Sequence, residues 1–268
     1  MSRRAAVGSR TAGALRGAAG MLILVALLEA LVRSGLVDGE YFPAPSAVLG
    51  AAAGLLADPA FLGHLGATLS AALLGLALAT AIGVPLGLVL GSFRGAQAAA
   101  RGIIELLRPI PSVALIPLAI LVLGSGLEMS VALIVYAAIW PILFNTMTAV
   151  RGADPVAADT ARSFGKGRIT ILGAVVLPQA APLVLTGIRV SAGIALILAI
   201  TAEFIGGGQQ GLGAWLLQTR IGQTRMDLMF AGIVFAGLLG LVLDAALRAL
   251  ERALLPWRER PAHRGGAA

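Results

Sequence analysis

Long apolar runs separated by short polar ones dominate this sequence, and they constrain its fold more than any other feature. A transmembrane helix needs about 20 mostly apolar residues, and six segments approach or meet that: 18–32, 67–90, 102–123, 129–148, 174–202 and 228–247. The first is short and carries Glu29, and the third is interrupted by Arg108-Pro109-Ile110-Pro111. The reading is an all-α integral membrane protein with about six transmembrane helices, five being the fallback. Composition agrees, since 58% of the 268 residues are hydrophobic and 12% charged, the balance of a chain whose solvent is lipid. Cysteine is absent, which excludes disulfides, thiol catalysis and thiolate metal sites.

Charge orients the spans, because loops rich in Lys and Arg stay in the cytoplasm. With both termini inside, the cytoplasmic segments hold Arg3, Arg4, Arg10 and Arg16; Arg94 and Arg101; Arg151, Arg162, Lys166 and Arg168; and Arg248, Arg252, Arg258, Arg260 and Arg264. Only Arg33, Arg220 and Arg225 fall outside, while Arg108 and Arg189 lie within spans. The formal charge of +7 is thus dispersed between apolar runs rather than gathered on one solvated surface, which argues against nucleic acid as a partner. The run 21–31 lacks a small-residue cleavage site and is read as a retained first span. Residues 1–40 form a cytoplasmic segment plus that span, 41–255 the main transmembrane domain, and 256–268 a tail expected to be disordered. In the external segment 34–66, a short interfacial helix over 46–56 is expected, capped by Ser46.

Several residues invite a choice between packing and function. Gly83, Gly87 and Gly91 recur at four-residue intervals, and Gly95 continues the series. Such a smooth ridge lets two helix backbones approach, or slide. Pro109 and Pro111 forbid a regular helix, and membranes tolerate a break only where protein or a water-filled cavity satisfies the freed backbone. A gate around Arg108 and Pro111 fits, as does a simple kink with Arg108 paired to Glu105. Arg189 sits deep in the fifth span, where a charge costs about 2.5–3.5 kcal/mol on insertion scales. It either attracts an anionic substrate or bonds helix ends. Glu203, at the outer end of that span, is read first as a solvated helix end and second as a pathway residue.

Other patterns are excluded. Gly206-Gly207-Gly208-Gln209-Gln210-Gly211 spells a dinucleotide fingerprint, but it follows a membrane span rather than a strand. It reads as a permissive turn hinging the amphipathic stretch 212–217. There is no phosphate-binding G-x-x-x-x-G-K-[ST], no H-E-x-x-H and no nucleophile elbow, and His64 and His263 are far apart. Carboxylates do not pair within any span as a proton relay requires.

The loop 151–173 is the one long polar insertion on the cytoplasmic side. Asp154-Pro155 starts a helix as N-cap and first-turn proline. Residues 156–164 continue it, and Gly165 ends it in a left-handed conformation. A second helix is expected from Lys166 toward Leu177-Pro178. Small residues Ala157, Ala158, Ala161 and Ser163 among charges offer a knob for a partner's cleft; a solvated connector is the alternative.

The stretch Asp159-Thr160-Ala161-Arg162-Ser163-Phe164-Gly165, then nine residues and Val175-Val176-Leu177-Pro178, resembles the E-A-A-x-x-x-G-x9-I-x-L-P motif of ABC importer permeases. Spacing from Gly165 to Leu177-Pro178 matches fully, while Asp replaces Glu, Thr replaces the first Ala and Val replaces Ile. The runs 42–49, 107–118, 177–189, 202–205 and 211–213 are similar to the sulfonate, taurine, nitrate and thiamine-precursor branch. The resemblance covers roughly 41–257. It implies a type I importer permease fold, a homodimer, a separate ATP-binding subunit and an external substrate-binding protein. ATP and magnesium would then sit on the partner subunit, with no cofactor on this chain and no enzyme activity of its own. A secondary transporter remains the alternative, which would need ion-coupling carboxylates or discontinuous midplane helices; an intramembrane enzyme would need an acid–base or metal constellation the chain lacks.

Overall fold

The computed structural model describes residues 2–222 and 225–256, so the expected disordered tail lies outside the described residues from 257 onward. Among the described residues every regular element is helical: α1 Ser2–Arg33, α2 Pro45–Leu55, α3 Pro59–Ser92, α4 Arg94–Leu107, a 3-10 turn Ser112–Leu115, α5 Ile116–Leu123 and α6 Leu127–Arg151. Then follow α7 Pro155–Ser163, α8 Arg168–Ile171, a π-turn Leu172–Val176, α9 Leu177–Gly206, α10 Leu212–Gly222 and α11 Met226–Leu254. Four helical stretches are long and apolar enough to cross a membrane: α3, α6, α8 through α9, and α11. A fifth span forms if α4 and α5, bent by 75° at their break, count as one. Five of the six expected segments are thereby placed, and the first lies within the continuous helix α1.

The chain divides into two compact units. The larger comprises Gly63–Trp215 and Gly237–Ala268. Its core is built on α6 and α9 with α3, from Ala79, Ile134, Ala138, Ile142, Ala195 and Ala199, all fully buried. Small residues set its dimensions. A Cβ on Gly187 would lie 2.9 Å from Asn145 Cβ and 3.0 Å from Pro141 O, so α9 rides directly on the α6 backbone there. Ser191 of α9 completes the seam by donating its hydroxyl to Ala138 O at 2.6 Å.

The glycine ridge of α3 packs as its spacing predicts. A Cβ on Gly83 would meet Ile142 at 3.0 Å and one on Gly91 would meet Val150 at 2.9 Å. The ridge begins two turns earlier than the sequence reading has it, with Gly75 against Ile134 and Ala79 fully buried between. Gly95 has open space around it and does not extend the ridge. In lipid such close approach is the main source of helix association, since no hydrophobic drive separates helix from tail. Three polar side chains inside the spans bond their own helix: Asn145 donates to Pro141 O at 2.8 Å, Thr146 to Ile142 O at 2.7 Å and Thr186 to Pro182 O at 2.9 Å.

The break between α4 and α5 is satisfied by protein. Tyr136 of α6 donates its hydroxyl to Leu107 O at 2.5 Å, with Ile110 O at 3.3 Å. In a continued α-helix Leu107 O would accept from residue 111, and Pro111 carries no N–H. Arg108 is not paired with Glu105: Arg101 holds that carboxylate at 2.7 Å, and the Arg108 guanidinium lies 4.7 Å over the Phe144 ring instead. Geometry explains the correction, because Arg101 and Glu105 stand four apart on one helix face, whereas Arg108 stands at the turn where α4 stops.

The smaller unit comprises Met1–Leu62 and Leu216–Ala236. Phe42 meets Phe230 at 6.2 Å between ring centroids, and Phe61 meets Phe235 edge-on at 5.0 Å. Glu29, which weakens the first apolar segment on paper, has a defined task there. Its carboxylate accepts the Ser46 N–H at 2.9 Å, the Ser46 hydroxyl at 2.7 Å and Arg33 Nε at 2.6 Å. Ser46 is therefore not the cap of α2, which starts one residue earlier at Pro45 behind Ala44. The cap comes from α1, as a carboxylate at the positive end of a helix.

Candidate functional site

Two places in the larger unit bring together the residues singled out by sequence. The first is the elbow after α6. Arg151 Nη2 bonds Leu90 O at 3.3 Å, tying the end of α6 to the last turns of α3. Asp154 then starts α7, its side chain accepting the Val156 N–H at 2.8 Å, while Gln179 Oε1 of α9 accepts the Asp154 N–H at 2.8 Å. α7 ends as the spacing requires. Gly165 takes φ 73°. Its N–H reaches Arg162 O at 2.8 Å and the Lys166 N–H reaches Ala161 O at 3.1 Å, which closes the last orphan carbonyls.

Within this elbow Asp159 and Arg162 form an ion pair one turn apart, both exposed. Thr160 turns its hydroxyl onto Val156 O at 2.8 Å and Ser163 onto Asp159 O at 3.2 Å, so neither is aimed outward as a free donor. The exposed apolar side chains are larger than the sequence reading expects. Val156, Phe164 and Ile169 are 69%, 78% and 88% exposed, whereas Ala158 is buried and Ala157 and Ala161 are half-buried. The correction concerns the three alanines and follows from amphipathicity, since these are the residues the helix lays against its neighbours, while Ser163 is exposed as expected. Below the elbow, Ala161, Phe164, Lys166, Ile171 and Ala174 surround a notch of about 280 Å³.

The expected second helix from Lys166 to Leu177 is not uniform. α8 spans a single turn, the π-turn follows, and α9 opens at Leu177 with Pro178 in its first turn. Proline at that place lacks the N–H an α-turn would need and its ring crowds the preceding carbonyl. A wider turn relieves both. The stretch from Gly165 through nine residues to Val175-Val176-Leu177-Pro178 thus contains a change of helical register that no sequence pattern revealed.

The second place lies at the far end of α9. Glu203 is only 7% exposed, so the expectation of a solvated helix end is corrected. Thr68 of α3, fully buried, donates its hydroxyl to Glu203 Oε2 at 2.7 Å and accepts the Leu212 N–H at 2.7 Å. The Gly213 N–H donates to the same Oε2 at 3.0 Å, and His64 Nδ1 accepts the Gly211 N–H at 3.2 Å. Glu203 and Thr68 together cap α10, whose first amides would otherwise be orphaned in an apolar setting. Gly207 at φ 62° and Gly211 at φ 109° make the turn that brings α10 back onto α9. A Cβ on Gly213 would stand 2.7 Å from Phe204 N and 2.8 Å from Glu203 Cβ. The stretch read as a loosely hinged amphipathic segment is therefore a clamped one, with Leu212 and Ala214 fully buried. Beside it opens a recess of about 520 Å³ walled by α3, the start of α6, Glu203 and the glycine-rich turn.

The remaining candidates lie elsewhere. Arg189 faces α11: Nη1 is 3.4 Å from Glu251 Oε2 and Nε is 3.9 Å from Asp244 Oδ1, with Arg248 also on Asp244. Its charge is answered inside the protein, which weighs toward the helix-bonding alternative. Arg108 and Pro109 border a separate cavity of about 530 Å³ with Gln97, Arg101, Ile104 and Phe144. Among the described residues no three His, Cys, Asp or Glu side chains gather as metal ligands.

Comparison with known proteins agrees with this architecture. Residues 83–256 match the family described as binding-protein-dependent transport system inner membrane component. A putative ABC transporter permease of Methanocaldococcus jannaschii is 40% identical over 63% of each chain. The taurine transport system permease of Escherichia coli is 33% identical over 72% of this chain and 70% of its own length. A putative aliphatic sulfonates transport permease of Bacillus subtilis is 29% identical over 94% of this chain and 90% of its own. Among solved structures, the MetNI methionine ABC transporter in an inward-facing conformation superposes with a TM-score of 0.62 over 71% of this chain and 94% of that one, at 20% identity, which speaks for the fold.

Proposed function

This chain belongs to the family of binding-protein-dependent transport system inner membrane components, and from that premise we propose that it is the membrane-spanning permease of an ATP-driven importer. It works as a homodimer in the lipid of the cell membrane, with both termini in the cytoplasm, two copies of an ATP-binding subunit and an external substrate-binding protein. The chain itself binds no nucleotide or magnesium; those belong to the ATPase. Its solute is small and of the sulfonate or taurine kind.

The observation that carries the reading is the elbow. A short helix is fixed at both ends, by Asp154 and Gln179 at one and by Gly165 at the other, and presents Val156, Phe164 and Ile169 to a partner. Asp159 to Gly165 with Leu177 and Pro178 form the coupling segment. When ATP draws the two ATPases together, the elbows follow, and the rigid bonding to α3 and α9 carries that displacement into the spans. Each step needs a ligand that binds one state better than the other, since an equal binder shifts nothing.

The test is transport in sealed proteoliposomes. Uptake is expected only when the chain, its ATPase, ATP and a loaded binding protein are all present. Uptake driven by an ion gradient in vesicles without ATP or ATPase would overturn the reading in favour of a secondary transporter.

A further inference from the structure

We propose that the cavity between α4 and α6 at Arg108 is a binding site for an anionic phospholipid, which sets its phosphate on the Arg108 guanidinium and its acyl chains along the apolar part of the wall. The site is independent of what the chain transports. Ligand sites are concave spaces of roughly 300–1,000 Å³ with a few placed polar groups in a mostly apolar lining. This one, at about 530 Å³, combines Gln97, Arg101 and Arg108 with the apolar Ile104, Phe144 and Met147.

Charge makes the selection. Of the two arginines within spans, Arg189 is answered by Glu251 and Asp244, while Arg108 forms no ion pair among the described residues. The Phe144 ring, 4.7 Å from the guanidinium, supplies only part of what a cation loses on entering lipid. Arg108 is also exposed, so its countercharge has to come from outside the described chain. Glu105 stands in the same wall, but Arg101 already holds it at 2.7 Å. Two arginines against one glutamate leave the wall with a net charge of +1. An anionic headgroup is thereby favoured over a zwitterionic one.

Depth selects a lipid over a dissolved ion. α6 ends at Arg151, and Phe144 stands seven residues before it, about 10 Å of helix at 1.5 Å per residue. From that depth a long arginine side chain reaches the phosphate level of a leaflet. On the orientation proposed above the leaflet is the cytoplasmic one, whose anionic lipids draw basic side chains.

The build of α4 suits this place. Its Ala96, Ala100 and Ile104 pack into the cluster of Leu90, Leu143 and Met147. Along a second face, Arg94, Arg101 and Arg108 follow at seven-residue intervals. On a third, Ile103 and Leu106 are 64% and 71% exposed, apolar side chains that belong in hydrocarbon. Protein, headgroups and acyl chains thus each meet their own side of the helix.

The experiment uses the full-length chain purified in dodecyl maltoside and titrated with phosphatidylglycerol or phosphatidylcholine, binding being read by native mass spectrometry and by the shift in melting temperature. Phosphatidylglycerol is expected to bind about fivefold more tightly, the factor that one basic residue supplies at a charged lipid surface. Arg108→Gln is expected to erase that preference. Arg94→Gln, which removes the same charge from the same helix outside the cavity wall, is expected to keep it. Should Arg108→Gln fail to fold, Gln97→Glu serves instead, placing a carboxylate in the wall and abolishing the preference. Inorganic phosphate added in excess is expected not to displace the lipid; displacement would make this a site for a dissolved anion and overturn the proposal. Equal binding of the two lipids overturns it, as does failure of phosphatidylglycerol to bind or a preference that survives both wall variants. Equal losses in Arg94→Gln and Arg108→Gln overturn it too, since they would reflect the general charge of that face.

Discussion

Gly87 and Thr146 stand so close that a Cβ on the glycine would lie 2.5 Å from the Cβ of the threonine. Neither can withdraw, because Thr146 is fully buried and bonded to Ile142 O. Gly87→Ala is therefore expected to destabilise the helix pair by about 1–3 kcal/mol, the usual cost of overpacking. Thermal unfolding in detergent checks this, with Gly95→Ala as the control expected to change little, since nothing lies near that glycine.

At the elbow, Gly165 has φ 73° and nothing within 4 Å of a Cβ, so a side chain there is strained without being crowded. Gly165→Asp is expected to leave insertion and span packing intact while abolishing ATP-coupled transport. Protease protection reports the first and ATP-driven uptake the second. Full uptake by the variant would remove the elbow from its proposed role.

Thr68 carries two bonds at once, to Glu203 and from Leu212. Thr68→Val keeps the shape and removes both, leaving a buried carboxylate and a helix amide short of a partner. The expected loss is about 1–3 kcal/mol for each unsatisfied group. Thr68→Ser, which retains the hydroxyl, should recover most of it in the same melting assay.

Arg189 is answered by Glu251 and Asp244 rather than by open space. Arg189→Ala is expected to reduce assembly of the complex, measured by size-exclusion chromatography, with Glu251→Gln partly restoring it in the double variant. Assembly unchanged in Arg189→Ala but with transport reduced would return this residue to the pathway.

Much of this was legible in the sequence where a single local rule governs. The glycine ridge, the proline break, the start of α7 at Asp154-Pro155 and the left-handed Gly165 all follow from backbone sterics and donor counting. What stayed hidden depended on partners distant in sequence. Glu203 looks solvated at a helix end until Thr68, 135 positions earlier, is placed against it. Glu29 looks like a defect in a span until Ser46 is brought to it. Arg108 offered Glu105 as the nearest countercharge, and a ring on another helix took it instead. Hydropathy finds spans but does not say which of their polar residues meet.

The π-turn at Leu172–Val176 alters how torque passes through the chain. Such a turn holds one residue more than an α-turn, and one residue is about 100° of azimuth at 3.6 residues per turn. The face that α9 shows its neighbours is thus phased by this wide coil against the direction in which the elbow points. Tightening 172–176 to α geometry with all five residues retained would turn the elbow through about that angle, whereas deleting one of them as the coil tightens would keep elbow and α9 in phase. The segment acts as an angular vernier, setting the phase between a lever and the shaft it drives.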